Sequence, residues 1–323
     1  MSGYSTATGD AQAILGFDSP GPFKIANNYL EASGENVMFG GADPSGIEFS
    51  PSDIEIRGSH FFKPASWFLN NKQWSVKNLF ELKNAKRVLV ERNFFEGNGA
   101  DSQTGFAIVL KSSNQAGGCP YCETSNVTFR FNRIDNVTGV FNLSAHDATT
   151  SVVPMNQILI QDNLITRVAD DSDWGGNNRS VFQILHDIDD LEISHNTAIL
   201  PRQGGLNLAF HEGDKINNLV VVNNIFGHAG FGWLGTGTGS GLGTLNTYAD
   251  PWSFEGNAIY SGTSSAYPPG NTFRSDRAAV GFLDASNGNY QLATDSPVRG
   301  LCLEGADPGA AVAALEQLLD DVR

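Results

Sequence analysis

One eight-residue pattern returns along the chain: hydrophobic, x, hydrophobic, x, x, Asn, x, hydrophobic. It reads FKIANNYL (Asn28), VLVERNFF (Asn93), VTFRFNRI (Asn132), ILIQDNLI (Asn163), LEISHNTA (Asn196), LVVVNNIF (Asn224) and WSFEGNAI (Asn257, with Trp252 in the first slot). IEIRGSHF fits as well, with Ser59 in the Asn position. Successive anchors lie 31, 34, 39, 31, 33, 28 and 33 residues apart. Such a period belongs to solenoids and propellers, whose repeats bury their apolar faces only against their neighbours.

The content of each period decides between the two. It holds a strand of alternating apolar residues, the tight Asn turn, a loop of variable length and a second strand: NVMFGG, NLFELKN, GFAIVLKS, GVFNLSA, SVFQILHD, GLNLAFHE. A propeller blade needs four strands in about 40–45 residues. Two strands and a short third segment predict instead a parallel β-helix, each coil stacked on the last at about 4.8 Å. Asn suits the turn because it tolerates left-handed backbone geometry. Its amide also hydrogen-bonds readily to the amides of neighbouring coils, which predicts an Asn ladder.

The whole chain resembles the right-handed parallel β-helix superfamily of pectin-lyase-like proteins, and is most similar to extracellular members from soil bacteria. The stretches that carry the resemblance are GPFKIANNYLEASGENVMFGGADPS, NLFELKNAKRVLVERNFFEGN and YQLATDSPVRGLCLEGADPGAAVAALE. It implies an all-β solenoid of about eight coils over residues 1–302, starting mid-solenoid, and a C-terminal cap over 303–323. The cap is read as a short amphipathic helix between about Asp307 and Val322, covering the end of the solenoid. It also implies a secreted or cell-surface protein, although MSGYSTATGDAQAILGF has neither the basic nor the apolar region of a signal peptide.

Composition narrows the partners. Hydrophobic residues make up 40% of the chain and charged ones 17%, with 36 glycines, which suits a turn-rich β protein. No apolar run approaches the roughly 18 residues of a membrane span. Net charge is −15, distributed as −6 over residues 1–54, +5 over 55–133 and −14 over 134–323. That disfavours nucleic acid, which needs a broad basic face. The basic middle either attracts an anionic polymer or is a set of solvated strand-edge cations. A monomer with a polysaccharide partner is expected, without nucleic acid or membrane. Cys119 and Cys122 in GGCPYC copy a redox spacing, but a strand follows rather than a helix. A loop disulfide or two idle thiols is the reading preferred.

Three neighbouring second strands end in an imidazole–carboxylate pair: His146-Asp147, His186-Asp187 and His211-Glu212. Comparable ends elsewhere carry Lys83 and Lys111. If equivalent positions align, these pairs run up one wall within about 10 Å. By resemblance, enzymes of the superfamily work in a groove along that wall. Asp147, Asp187 and Glu212 are therefore the candidate catalytic carboxylates for glycoside hydrolysis. His146, His186 and His211 would orient them, move protons or bind sugar hydroxyls. Lys83, Lys111, Trp174 and Trp233 are candidate substrate contacts. The opposing consideration is strand alternation, which points adjacent side chains to opposite faces. Asp and His are also ordinary turn residues.

Two alternatives stand beside hydrolysis. In a polysaccharide lyase, Lys111 or a histidine would remove the proton next to a uronate carboxylate neutralised by Lys83 or Ca²⁺. A non-catalytic glycan-binding solenoid needs no chemistry at all. No cofactor is required; Ca²⁺ is the one ion considered, and the metal ligands are undetermined. The run Asp170, Asp171, Asp173 lacks the spacing of a calcium loop. The glycine-rich FGWLGTGTGSGLG lacks the strand–helix frame of a phosphate site.

Overall fold

The computed structural model describes residues 1–68, 73–147, 151–168, 180–200 and 207–322. Three long all-parallel sheets dominate it, with eight, eight and nine strands, each sheet taking every third strand of the chain except that the ninth strand of the third sheet, Thr272–Arg274, is the next one after the eighth. The chain thus visits sheet I, sheet II and sheet III in turn and then returns to sheet I, one circuit on. Sheet I holds Ile14–Gly16, Val37–Phe39, Phe80–Leu82, Phe106–Lys111, Gly139–Ser144, Phe182–Leu185, Asn207–Glu212 and Gly232–Gly235. Sheet II carries the first strand of the repeated pattern, as in Ala85–Glu91 and Thr124–Arg130. Sheet III begins just after the Asn, as in Phe94–Asn98 and Arg133–Val137.

Alternation builds the interior. In Thr124–Arg130, Val127 and Phe129 are buried while Asn126 is exposed. Strand pairing stacks Val127 between Val88 and Ile158, and Phe129 between Val90 and Ile160. A run of aromatic rings continues through the core: Phe61 on Phe95 at 4.4 Å, Phe95 near Phe129 at 5.4 Å, and Phe141 on Phe182 at 5.2 Å. Stacking like on like lets each circuit bury its apolar face against the next.

The turn between sheets II and III differs from expectation in one respect. The left-handed residue is the one before the repeated Asn: Asn27, Gly58, Arg92, Phe131, Asp162, His195, Asn223 and Gly256 all have φ between 51° and 70°. The Asn itself does a different job. Nδ2 of Asn93 donates to Oδ1 of Asn132, and the pattern repeats from Asn132 to Asn163, to Asn196, to Asn224 and to Asn257, at 2.9–3.1 Å. Each of these Oδ1 atoms also accepts the backbone N–H of the preceding Asn. All of these asparagines are buried, so the side chains supply partners that water cannot. Asn271, only 14 residues beyond Asn257, extends the row. The repeat length gave no reason to expect it.

Of the two helices, α1 (Leu242–Tyr248) follows the last strand of sheet I and sends Leu245 into the main core. The C-terminal helix α2 (Val312–Leu319) buries Val312, Leu315 and Leu319 with Leu164, Ile199 and Tyr290. Arg133 donates to Glu316 at 3.1 Å. Leu164 and Arg133 begin successive strands of sheet III, so α2 lies along the flank of that sheet rather than over an end.

Candidate functional site

The outer face of sheet I carries the chemistry. Phe80 and Leu82 point into the core, so Glu81 between them faces out. Met38, Glu81, Val109, Asn142 and Gln183 share one register row across the sheet. Two residues further along, Lys111, Ser144, Leu185 and Glu212 share the next. Lys83 immediately follows Leu82, whose partner Leu110 precedes Lys111. A cavity of about 510 Å³ opens on this face, lined by Glu81, Lys83, Lys111, Ser144, His146, Asp147 and His186, with Ser102, Gln103 and Thr104 from the loop beside it.

Within it the charges are paired. Lys83 Nζ lies 3.2 Å from Glu81 Oε1, and Asn78 donates to Oε2 at 2.7 Å. Lys111 Nζ donates to Asp147 Oδ1 at 2.9 Å, while the Ser113 hydroxyl donates to Oδ2. Burial pushes the Glu81 carboxyl above its ordinary range, and the nearby charge of Glu35 adds to this against the pull of Lys83 and Lys111. Burial also acts on Asp147, but there the Ser113 hydroxyl and the Lys111 and Lys83 ammonium groups outweigh it and hold the carboxyl below its ordinary range. The cavity therefore contains one carboxyl biased toward the acid and one biased toward the carboxylate. Each also feels the other's lysine.

The histidines form a second cluster at the same edge. The rings of His146 and His186 stack with centroids 4.3 Å apart and planes 18° from parallel. His146 Nδ1 is 3.0 Å from the Asp147 carbonyl, which only accepts, so Nδ1 carries the proton. Its Nε2 is 3.2 Å from Asp187 Oδ1. His186 sits in the left-handed region at φ 68° and its N–H donates to the Glu212 carbonyl at 2.9 Å.

The three imidazole–carboxylate pairs expected to stack do not align. His211 is in register with Ile184, two residues ahead of His186, and Glu212 with Leu185. Ser144 is also in register with Leu185, so His146 falls two residues past that row and His186 only one. The three strands end on one row, at Ser144, Leu185 and Glu212, and the imidazole stands two residues past that row in the first, one past it in the second and one before it in the third. Asp147 thus faces the cavity, Asp187 stands beside His146, and Glu212 is exposed. The His211 side chain lies outside the described residues, as do Trp174, Asp170, Asp171 and Asp173.

Trp233 also differs from expectation. It is fully buried and packs edge-on to Phe254 at 5.5 Å, so no sugar reaches it. Its register partner Ala209 pairs in turn with the core residue Phe182, which explains why it points inward. Glu81 is the site residue missed from the sequence. The available signal was an acid inside an apolar strand, two residues before a lysine, on the row that becomes the cavity floor. Cys119 and Cys122 form a disulfide, both buried. Comparison with protein-family models, with curated proteins and with solved structures finds no match for this chain.

Proposed function

We propose that the chain is a right-handed parallel β-helix of the pectin-lyase-like kind, with about eight coils and an Asn ladder, and that it hydrolyses a glycosidic bond in the cavity on sheet I. Sheets built from every third strand and the row of amide hydrogen bonds support the architecture. One observation carries the activity: two carboxyl groups, Glu81 and Asp147, line one cavity with their acidities driven in opposite directions. Glycoside hydrolysis needs such a division, an acid to protonate the leaving oxygen and a carboxylate to meet the developing positive charge or to activate water. Glu81 takes the first role and Asp147 the second. His146 and His186 contact sugar hydroxyls at the rim. Asp187 and Glu212, first candidates by sequence, become peripheral. The buried Cys119–Cys122 disulfide agrees with an oxidising, extracellular setting.

The test is a depolymerisation panel of neutral glucans, xylans and mannans beside pectate and alginate. Reducing ends appearing without ultraviolet absorbance of unsaturated products, and lost in both Glu81→Gln and Asp147→Asn, are the expected result. Activity that survives both substitutions sinks the assignment. The lyase reading has its own observation: with Glu81 protonated, Lys83 and Lys111 leave the cavity with net positive charge, which suits a uronate. Unsaturated products on pectate or alginate would favour it, with Lys111 or His146 as base. Silence on every polymer would favour a glycan-binding solenoid.

A further inference from the structure

We infer that His146, His186 and Asp214 form a binding site for a divalent first-row transition ion of the zinc class, at the rim of the cavity. This goes beyond the proposed hydrolysis and holds whether a glycan is cleaved there or only bound. Ligand atoms of these three side chains, one from each, all lie within 4.8 Å of one another. Around a tetrahedral ion with bonds of about 2.1 Å, neighbouring ligand atoms stand about 3.4 Å apart, so the three need to draw in by at most about 1.4 Å. Side chains that are half-buried or exposed can rotate that far.

Two further observations favour an ion over a chance encounter. First, the His146 Nδ1 proton is committed to the Asp147 carbonyl, which turns the Nε2 lone pair toward Asp187 Oδ1 at 3.2 Å. That oxygen is buried and has no hydrogen-bond donor among the described residues. With His146 neutral, two acceptors face each other there, a cost that a proton or a metal cation removes, and second ring nitrogens held by carbonyls are usual in metal-ligating histidines. Second, Gly213 has φ +96°, and a Cβ there would stand 2.6 Å from His186 Nδ1. Only glycine allows the chain to pass so close, and that passage brings Asp214 to the imidazole pair.

The donor set selects the metal. Two imidazoles and one carboxylate suit Zn²⁺ and its neighbours, whereas Ca²⁺ takes six to eight oxygens. Three protein ligands also leave a position open for water or a sugar hydroxyl. The Asp187 carboxylate adds negative charge beside the site without being counted as a ligand.

The experiment uses the full chain without a histidine tag, stripped with chelator and titrated calorimetrically with ZnCl₂ and, separately, CaCl₂. One Zn²⁺ per chain is expected, with no saturable heat from Ca²⁺. His146→Ala, His186→Ala and Asp214→Ala should each weaken Zn²⁺ binding by about tenfold or more, while His60→Ala on sheet III leaves it unchanged. Labelling of the unaltered protein with diethyl pyrocarbonate, read by mass spectrometry, keeps the test independent of variant folding: Zn²⁺ should protect His146 and His186 but not His60. Absence of Zn²⁺ uptake, Zn²⁺ affinity indifferent to His146→Ala and His186→Ala, or equal labelling with and without Zn²⁺ overturns the inference.

Discussion

Two polar regions run across the same circuits and follow opposite rules. In the Asn row the same side chain recurs at the same place, each amide buried and each donor matched by the next acceptor. On the outer face of sheet I the corresponding row changes identity at every circuit, from Lys111 to Ser144 to Leu185 to Glu212. Repetition satisfies a backbone that repeats. Variation brings unlike groups together, and there the carboxyl groups of Glu81 and Asp147 acquire different acidities. A repeat protein can thus be read for function by looking where its periodicity fails.

The largest effect should come from the regular region. Asn163→Ala removes the side chain's bonds to Asn132, to Phe129 and to Asn196 and leaves their buried groups without partners. A loss of about 3–5 kcal/mol is expected by chemical denaturation. A loss below about 1 kcal/mol would mean that water replaces the amide, and the contrast between the regions would fail.

Next comes the irregular region. Asp147→Asn should lower kcat/KM about a hundredfold on a polymer the protein cleaves, a smaller free energy of about 2.7 kcal/mol, with a lesser change in stability. The pH profile sharpens the assignment. Asp147 must be ionised, so activity falls as pH drops through its lowered pKa; Glu81 must be protonated, so activity falls as pH rises through its raised one. Glu81→Gln should abolish the alkaline limb together with most of the rate.

Replacing Cys119 and Cys122 together by serine should cost about 2 kcal/mol, the closure entropy of so short a loop. Activity per folded molecule should not change, since neither sulfur reaches the surface.

A charged counterpart of the Asn row makes stability itself depend on pH. Lys63 is fully buried, and its Nζ donates to the carbonyls of Ala32, Ser33 and Gly34 one circuit earlier. Burial pulls its pKa down to about 7, from 10.5 in the unfolded chain. Between those values the unfolded chain holds a proton that the folded chain has shed. Stability from this group is therefore present at high pH and lost as pH falls toward 7. Lys63→Met should remove that rise, at most about 1.4 kcal/mol per pH unit, measured by denaturation at both ends of the window.

The contrast also explains what the sequence made legible. Strand order followed from the spacing of the asparagines because a repeat imposes one environment on every copy. The wall of candidate residues was legible at the strand ends, where Lys83, Lys111, His146, Asp147 and His186 do come to one cavity. The pairing of roles was not. His211 looked equivalent to His186, yet it lies inside its strand, in register with Ile184, whereas His186 lies just past the end of its own, and no residue type announces that offset. Glu81 looked like an ordinary outward residue because its burial comes from neighbours on other segments. Trp233 looked like a loop aromatic because glycines surround it, although its register places it under Phe182 and Ala209. The left-handed turn residues, among them Phe131 and Arg92, are of types that do not favour the conformation.

The amide row also has a direction. From Asn132 to Asn271 every Oδ1 in it accepts from the lower-numbered circuit, and from Asn93 to Asn257 every Nδ2 donates one hydrogen toward the higher-numbered one. The side-chain dipoles therefore add head to tail, and each bond polarises the next. An asparagine in the middle of such a chain is strengthened from both sides, while one at its end is strengthened from one. The same residue is then worth most in the central circuits, and the protein should loosen from its ends inward.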